Sequence, residues 1–282
     1  MDERRLPAAA ARALAFVARR AVDGPPLPEN VRVVLHFHPD VGVDGAPVLE
    51  RIVADGTYVS QFATGTGNGG LTARSGGDRW SWEQRLFDGA YDDVDPRQRP
   101  VYGGAWDGVD PYGAAPRFGS AYLVLRPEVN LRTSFAYPDS GASPSTFGVA
   151  ERCAPWPQFV ADRPEDPLDH YVECHVHAGI AVPDETAAVV LDPSHRGTPL
   201  AEAAERSGLV VRWHPGYALA AADLIERADY RGAAVVALAP RVAEDGMLTP
   251  AVLGRARATG AHDPQTLKQV WHCLARFGRA EA

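Results

Sequence analysis

Apolar positions follow three rhythms along this chain. From about Pro7 to Val22 they recur every three to four residues, with Leu14, Val17 and Ala21 on one side, which predicts an amphipathic helix. Gly24-Pro25-Pro26-Leu27-Pro28 is a stiff linker, and the near-continuous apolar run Val31 to Phe37 is a core strand. Pro47 to Ala54 predicts a short helix closed by Asp55-Gly56, Thr57 to Thr64 alternates as a strand does, and Gly65 to Gly70 is a flexible loop. Arg79 to Phe87 predicts a helix carrying Trp80 and Trp82. Residues 92–117, rich in Asp, Pro and Gly, predict a long surface loop. Ser120 to Leu125 and Leu131 to Tyr137 predict strands joined by a turn at Arg126-Pro127-Glu128, followed by an irregular, proline-rich stretch over 138–169. His170 to His177 and Thr186 to Leu191 predict strands forming a hairpin through Ala178 to Asp184. Beyond Asp192 the pattern turns helical, over Pro199 to Ser207, Tyr217 to Arg227 and Thr266 to Phe277, with an apolar run at Ala233 to Leu238. The expected plan is α+β: an N-terminal helix and proline-rich linker over 1–29, a strand-rich core over 30–195, and a mostly helical unit over 196–282 packed on it.

Composition narrows the classes. With 282 residues and 45% hydrophobic content the chain buries a sizeable core. A net charge of −8 excludes a generic nucleic-acid or anionic-membrane surface. Of the 28 basic residues only Lys268 is lysine, which reads as the codon bias of a GC-rich, bacterial genome. Cys153, Cys174 and Cys273 are far apart and form no Cys-x-x-Cys, as expected in a reducing cytoplasm. No apolar run approaches the roughly 20 residues of a membrane span. The acidic residues near the start and Arg12 within the apolar stretch argue against a signal peptide.

Two strands carry the candidate chemistry. Side chains two apart share a strand face, so His36 and His38 point one way, as do Glu173, His175 and His177. If the strands are neighbours, four imidazoles and a carboxylate converge. His-x-His at a strand end is a metal-ligand geometry. Under that reading His36, His38, His175 and His177 hold zinc or another divalent metal, Asp40 completes the shell, and Glu173 is general base toward a metal-bound water. The opening His-x-His resembles that of amidohydrolase-type and polymerase-histidinol-phosphatase-type hydrolases. Those are βα barrels, whose regular strand–helix alternation this chain lacks.

The second reading follows the order of motifs. A histidine ends an early core strand (His36 or His38), Gly56-Thr57-Tyr58-Val59-Ser60-Gln61-Phe62 follows, and Glu173 lies on a late strand. This order resembles the histidine, tyrosine/serine, glutamate triads of ADP-ribosyltransferases. The resemblance implies a split antiparallel sheet and an NAD-dependent ADP-ribosyltransferase or NAD glycohydrolase. In it Glu173, His36 and His38 are catalytic, while Tyr58, Ser60, Gln61, Thr64, Asn68 and Arg117 bind NAD. Such a glutamate stabilises the positive charge that develops on the sugar as the N-glycosidic bond breaks. A tyrosine stacks on nicotinamide, and an arginine pairs with the diphosphate. No Ser-Thr-Ser run follows Tyr58, and position 171 is Tyr, so there is no Glu-x-Glu or Gln-x-Glu. These departures point away from transfer to a protein arginine and leave open water, a small molecule, a nucleic acid or another protein group as acceptor.

The runs His36-Phe37-His38-Pro39-Asp40, Tyr58 to Phe62, Asn68 to Leu71, Gly113 to Ser120, Asp139-Ser140, Tyr230-Arg231-Gly232 and Trp271 to Gly278 resemble a bacterial family known as domain of unknown function 3626. A third class, a non-catalytic binding protein, predicts neither metal nor NAD affinity. If Glu173 is structural, Arg117 or Arg132 is its expected salt-bridge partner.

Overall fold

The computed structural model describes residues 6–43, 45–65 and 73–280. Eight strands carry the frame: β1 Arg32–Phe37, β2 Val101–Trp106, β3 Ala121–Leu125, β4 Thr133–Tyr137, β5 Thr146–Val149, β6 Glu173–Val176, β7 Thr186–Leu191 and β8 Val211–Trp213. All lie in one mixed sheet, ordered β8-β7-β3-β1-β2-β6-β4-β5, in which only the β7–β8 pair is parallel. The fold is α+β, and the expected split sheet is instead a continuous one. The helices used below are α1 Ala8–Arg20, α2 Val48–Asp55, α3 Asp78–Phe87, α4 Pro155–Ala161, α5 Pro199–Arg206, α6 Ala233–Val242, α7 Pro250–Ala258 and α8 Pro264–Phe277.

Strand alternation sorts the two faces. Val33, Leu35 and Phe37 of β1 join Leu123, Phe135, Cys174 and Leu191 in the largest core. Leu49 and Ile52 of α2 and Leu200 and Ala204 of α5 cover it, with Trp156 and Phe159 of α4 against it. Fully burying each such side chain is worth about 1.5–3 kcal/mol. On the opposite face Ala136 and Phe147 pack against α1, through Ala9, Ala13 and Val17, and against α3, through Leu86 and Phe87. The C-terminal helices have their own core, in which Leu267, Val270, Trp271 and Leu274 form one stripe of α8. That helix starts where local chemistry directs: Asp263 accepts from Thr266 N–H at 2.7 Å, and Pro264 takes the first position.

The stretch 92–117 is not only loop: it contains β2, at the centre of the sheet. Gly103-Gly104 inside the strand masks it, because glycine reads as a breaker in sequence. The expected strand Thr57 to Thr64 is a two-residue strand, Thr57–Tyr58, then a helical turn Gln61–Thr64 closed by Gly65 in the left-handed region. The stretch 138–169 holds β5 and α4. β6 and β7 do not form a hairpin: β6 pairs with β2 and β4, and β7 pairs with β3 and β8. The intervening Ile180–Ala181 pairs with Thr57–Tyr58. Tyr217 to Arg227 contains a two-residue strand and a 3-10 helix, Ala221–Arg227. Helix α7 had no counterpart in the sequence reading. Among the described residues no helix is long and apolar enough to cross a membrane.

Candidate functional site

β2 separates the two histidine strands, so the four imidazoles do not converge. Val34 pairs with Gly104, and Gly104 with Glu173. Gly104 also lets a loop close over the sheet, since a Cβ there would sit 2.7 Å from Ala114 Cβ. That loop, 113–119, is fastened by His36. Ala115 N–H donates to His36 Nε2 at 3.1 Å, and Nδ1 lies 3.2 Å from the Gly119 carbonyl. The carbonyl only accepts, so His36 is the Nδ1–H tautomer with both nitrogens engaged by backbone. Gly113, at φ +81°, passes so near that a Cβ would meet Nε2 at 2.6 Å. Trp271 Nε1 clamps the same loop from α8, at 3.1 Å from the Pro116 carbonyl.

Glu173 is 6% exposed, and its carboxylate is held chiefly through one oxygen. Oε1 accepts from His175 Nε2 at 2.7 Å and from the Ser140 hydroxyl, while Oε2 has one longer contact, 3.4 Å, from Ser140 N–H. The Ser140 turn is itself built for this. Asp139 accepts from Ala142 N–H at 3.0 Å and from the Tyr171 hydroxyl at 2.6 Å, fixing the short helix Ser140–Ala142. Burial opposes ionisation of Glu173, but the hydrogen bonds from His175 and Ser140 outweigh it, so the carboxyl is held below its usual range.

Over Glu173 and His36 lies a cavity of about 220 Å³. Tyr58, Trp82, Tyr102, Phe118 and Tyr171 supply aromatic walls, and Arg79, Arg117 and Lys268 supply positive charge. These cations come from α3, from the His36-fastened loop and from α8. Arg79 is 8% exposed, its guanidinium sits 5.1 Å from the Tyr102 ring centroid, and its Nε has no hydrogen-bond partner among the described residues. Arg117 pairs with Asp169, and with Asp139 at 3.8 Å. Burial, then the charges of Arg117, Arg79 and Arg231, lower the pKa of Lys268. Lys268 makes no ion pair among the described residues. Helix α3 is fixed against the segment leading into β2 by a buried ion pair, Arg99 Nη1 to Glu83 Oε2 at 2.6 Å. Burial raises Glu83 to about 7 against the pull of Arg99.

Of the sequence candidates, His36, Tyr58, Gln61, Arg117 and Glu173 line this cavity. Burial pushes the Tyr58 hydroxyl up to about 12. His38 faces α8 instead, its ring 4.9 Å from that of Trp271. Ser60 donates to the Pro96 carbonyl at 2.6 Å, and Thr64 ends its helical turn outside the lining. Asn68, with the 66–70 loop and Asn68 to Leu71, lies outside the described residues. His175 and His177 sit behind Glu173, with His177 Nδ1 2.7 Å from the Tyr91 hydroxyl. Neither Arg117 nor Arg132 pairs with Glu173: Arg132 spans the His177 carbonyl and Glu185. Among the described residues no group of three His, Cys, Asp or Glu side chains is disposed to hold a metal ion. The sequence reading missed Arg79, Trp82, Tyr102, Ser140, Tyr171 and Lys268 as site residues. The only available signals were Trp82 within a predicted helix, the Asp139-Ser140 motif and the solitary lysine.

Buried neutral histidines make the fold sensitive to acid. Burial lowers His36, His177 and His272 each to about 3. The unfolded chain binds protons on these rings below about pH 6.5 and the folded chain does not. Stability is therefore complete above that pH and falls as pH drops toward 3. Glu173, whose lowered pKa also favours the folded state only while it is ionised, adds to the loss at the acid end. Thermal melts at pH 7.5 and pH 5 are expected to show a lower midpoint at pH 5. Equal midpoints would contradict the buried neutral rings.

The family model described as "Protein of unknown function (DUF3626)" matches residues 32–155 and 151–277. No curated protein matches the chain.

Proposed function

The chain belongs to the DUF3626 family, proteins of unknown function, and we propose that its cavity binds NAD and cleaves the nicotinamide–ribose bond. ADP-ribose then passes to water or to another acceptor. One observation carries this reading: an ionised carboxylate, Glu173, lines the same aromatic-walled cavity as three cations. Breaking the glycosidic bond puts positive charge on the ribose, and a preorganised carboxylate in a partly dry cavity stabilises that charge. The diphosphate carries the opposite sign and suits Arg79, Arg117 and Lys268. Burial and then the neighbouring arginines lower the Lys268 pKa, and an anion among the three cations relieves that repulsion. Tyr58 offers a ring for the nicotinamide to stack on. In this scheme His36 orients the cofactor only through the loop that bears Arg117. The metal-dependent alternative has less to support it, because both His36 nitrogens are engaged by backbone and His175 lies behind Glu173.

NAD titrated into the full chain is expected to quench tryptophan fluorescence, since Trp82 lines the cavity. Lys268→Gln is expected to weaken that binding roughly 10-fold, the worth of one charge-assisted hydrogen bond of about 1.5 kcal/mol. Calorimetry that detects no NAD binding at millimolar concentration would overturn the proposal.

A further inference from the structure

Behind Glu173 runs an unbroken line of buried polar side chains. His175 Nε2 meets Glu173 Oε1 at 2.7 Å, and His175 Nδ1 is 3.1 Å from Ser134 Oγ. Ser134 Oγ is 2.9 Å from His177 Nε2, and His177 Nδ1 is 2.7 Å from the Tyr91 hydroxyl. Ser134, His175 and His177 are at most 1% exposed, and Tyr91 is 2% exposed. β4 contributes Ser134, β6 and its C-terminal end contribute the histidines, and the turn after α3 contributes Tyr91. Phe87 flanks both imidazoles edge-on, with centroids 5.3 Å away, and isolates the line from water.

The acceptor at one end, with one proton per ring, sets every hydrogen along the line. An ionised carboxylate only accepts, so His175 carries its proton on Nε2. In the one-way chain that ring carries no second proton, so its bare Nδ1 accepts the one hydroxyl hydrogen of Ser134. Ser134 then accepts from His177 Nε2–H, and His177 Nδ1 accepts from Tyr91 O–H. Burial keeps His177 neutral, consistent with one proton per ring. We propose that Tyr91, His177, Ser134 and His175 are positioning residues that act through this one-way chain. They fix Glu173 as an anion, engage its Oε1, and leave Oε2 with only the 3.4 Å contact from Ser140 N–H, ready for a cationic or hydroxyl-bearing sugar. The proposal rests on the reading of Glu173 as the residue that stabilises charge. Its heavy-atom geometry is independent of which glycoside is cleaved.

The test has two readouts on the full chain. Long-range 15N–1H correlation of the labelled wild type at pH 7 is expected to show His175 and His177 both as Nε2–H tautomers with bare Nδ1. A proton on Nδ1 of either ring breaks the deduced order and overturns the proposal. Tyr91→Phe, which removes only the hydroxyl that starts the chain, is expected to lower kcat for nicotinamide release roughly 10-fold or more with KM for NAD unchanged. An unchanged kcat in the folded variant also overturns it. If the wild type cleaves no NAD, the tautomers still decide the chain while the NAD reading falls, so the two failures are distinguishable.

Discussion

Glu173→Gln is expected to bind NAD as the wild type does and to release nicotinamide roughly 100- to 1,000-fold more slowly, the usual cost of removing one preorganised electrostatic contact from a transition state. The substitution suits the question because its structural cost is small. The Ser140 hydroxyl and His175 Nε2–H both converge on Oε1, so a glutamine carbonyl oxygen takes both bonds. Only the 3.4 Å contact from Ser140 N–H to Oε2 is lost, to an amide that cannot accept. What disappears is the negative charge. The ground state loses little, since NAD is held chiefly by the cations and the rings, whereas the developing positive charge on the sugar loses its partner. The fall should therefore appear in kcat, with KM nearly constant and the melting midpoint within a few degrees of wild type. A variant that turns over at the wild-type rate would remove Glu173 from the chemistry.

His36→Ala has a different signature, loss of fold before loss of chemistry. His36 is 8% exposed, and its ring satisfies the Ala115 N–H and the Gly119 carbonyl. Truncation leaves both backbone groups without a partner, and each such orphan costs about 1–3 kcal/mol. A loss of about 3 kcal/mol is expected in urea denaturation at pH 7, a large share of a typical domain stability of about 5–15 kcal/mol. The loop that carries Arg117 and Phe118 would loosen with it, so NAD binding should weaken as well. Wild-type stability combined with abolished turnover would instead place His36 in contact with the reacting atoms.

The sequence was most informative where local chemistry decides the outcome. β1 is a continuous apolar run; α1 and α8 show helical spacing, and α8 adds a capping aspartate and a first-position proline. The shared face of Glu173, His175 and His177 was also legible, and so was the cost of burying a carboxylate, which singles out Glu173. Neighbour relations were not. Whether β1 touches β6 depends on a strand containing Gly103-Gly104, whose value is close backbone approach and not β-propensity. Once β2 intervenes, the paired His-x-His motifs part: His36 pins a loop, His38 packs on Trp271, and His175 and His177 become the support behind a carboxylate. Lys268 shows the same limit. Its helix was evident and its solitary status visible, yet only tertiary packing brings α8 to the cavity, with Arg79 and Arg117 as neighbours.

Nicotinamide release from NAD by the untagged wild-type chain, followed by chromatography over a time course, tests the central claim most directly. The account predicts nicotinamide accumulating with enzyme concentration, matched by ADP-ribose or an ADP-ribosylated acceptor, and nearly absent with Glu173→Gln. NAD that binds in the cavity and is recovered intact after prolonged incubation with the folded wild-type chain would contradict it.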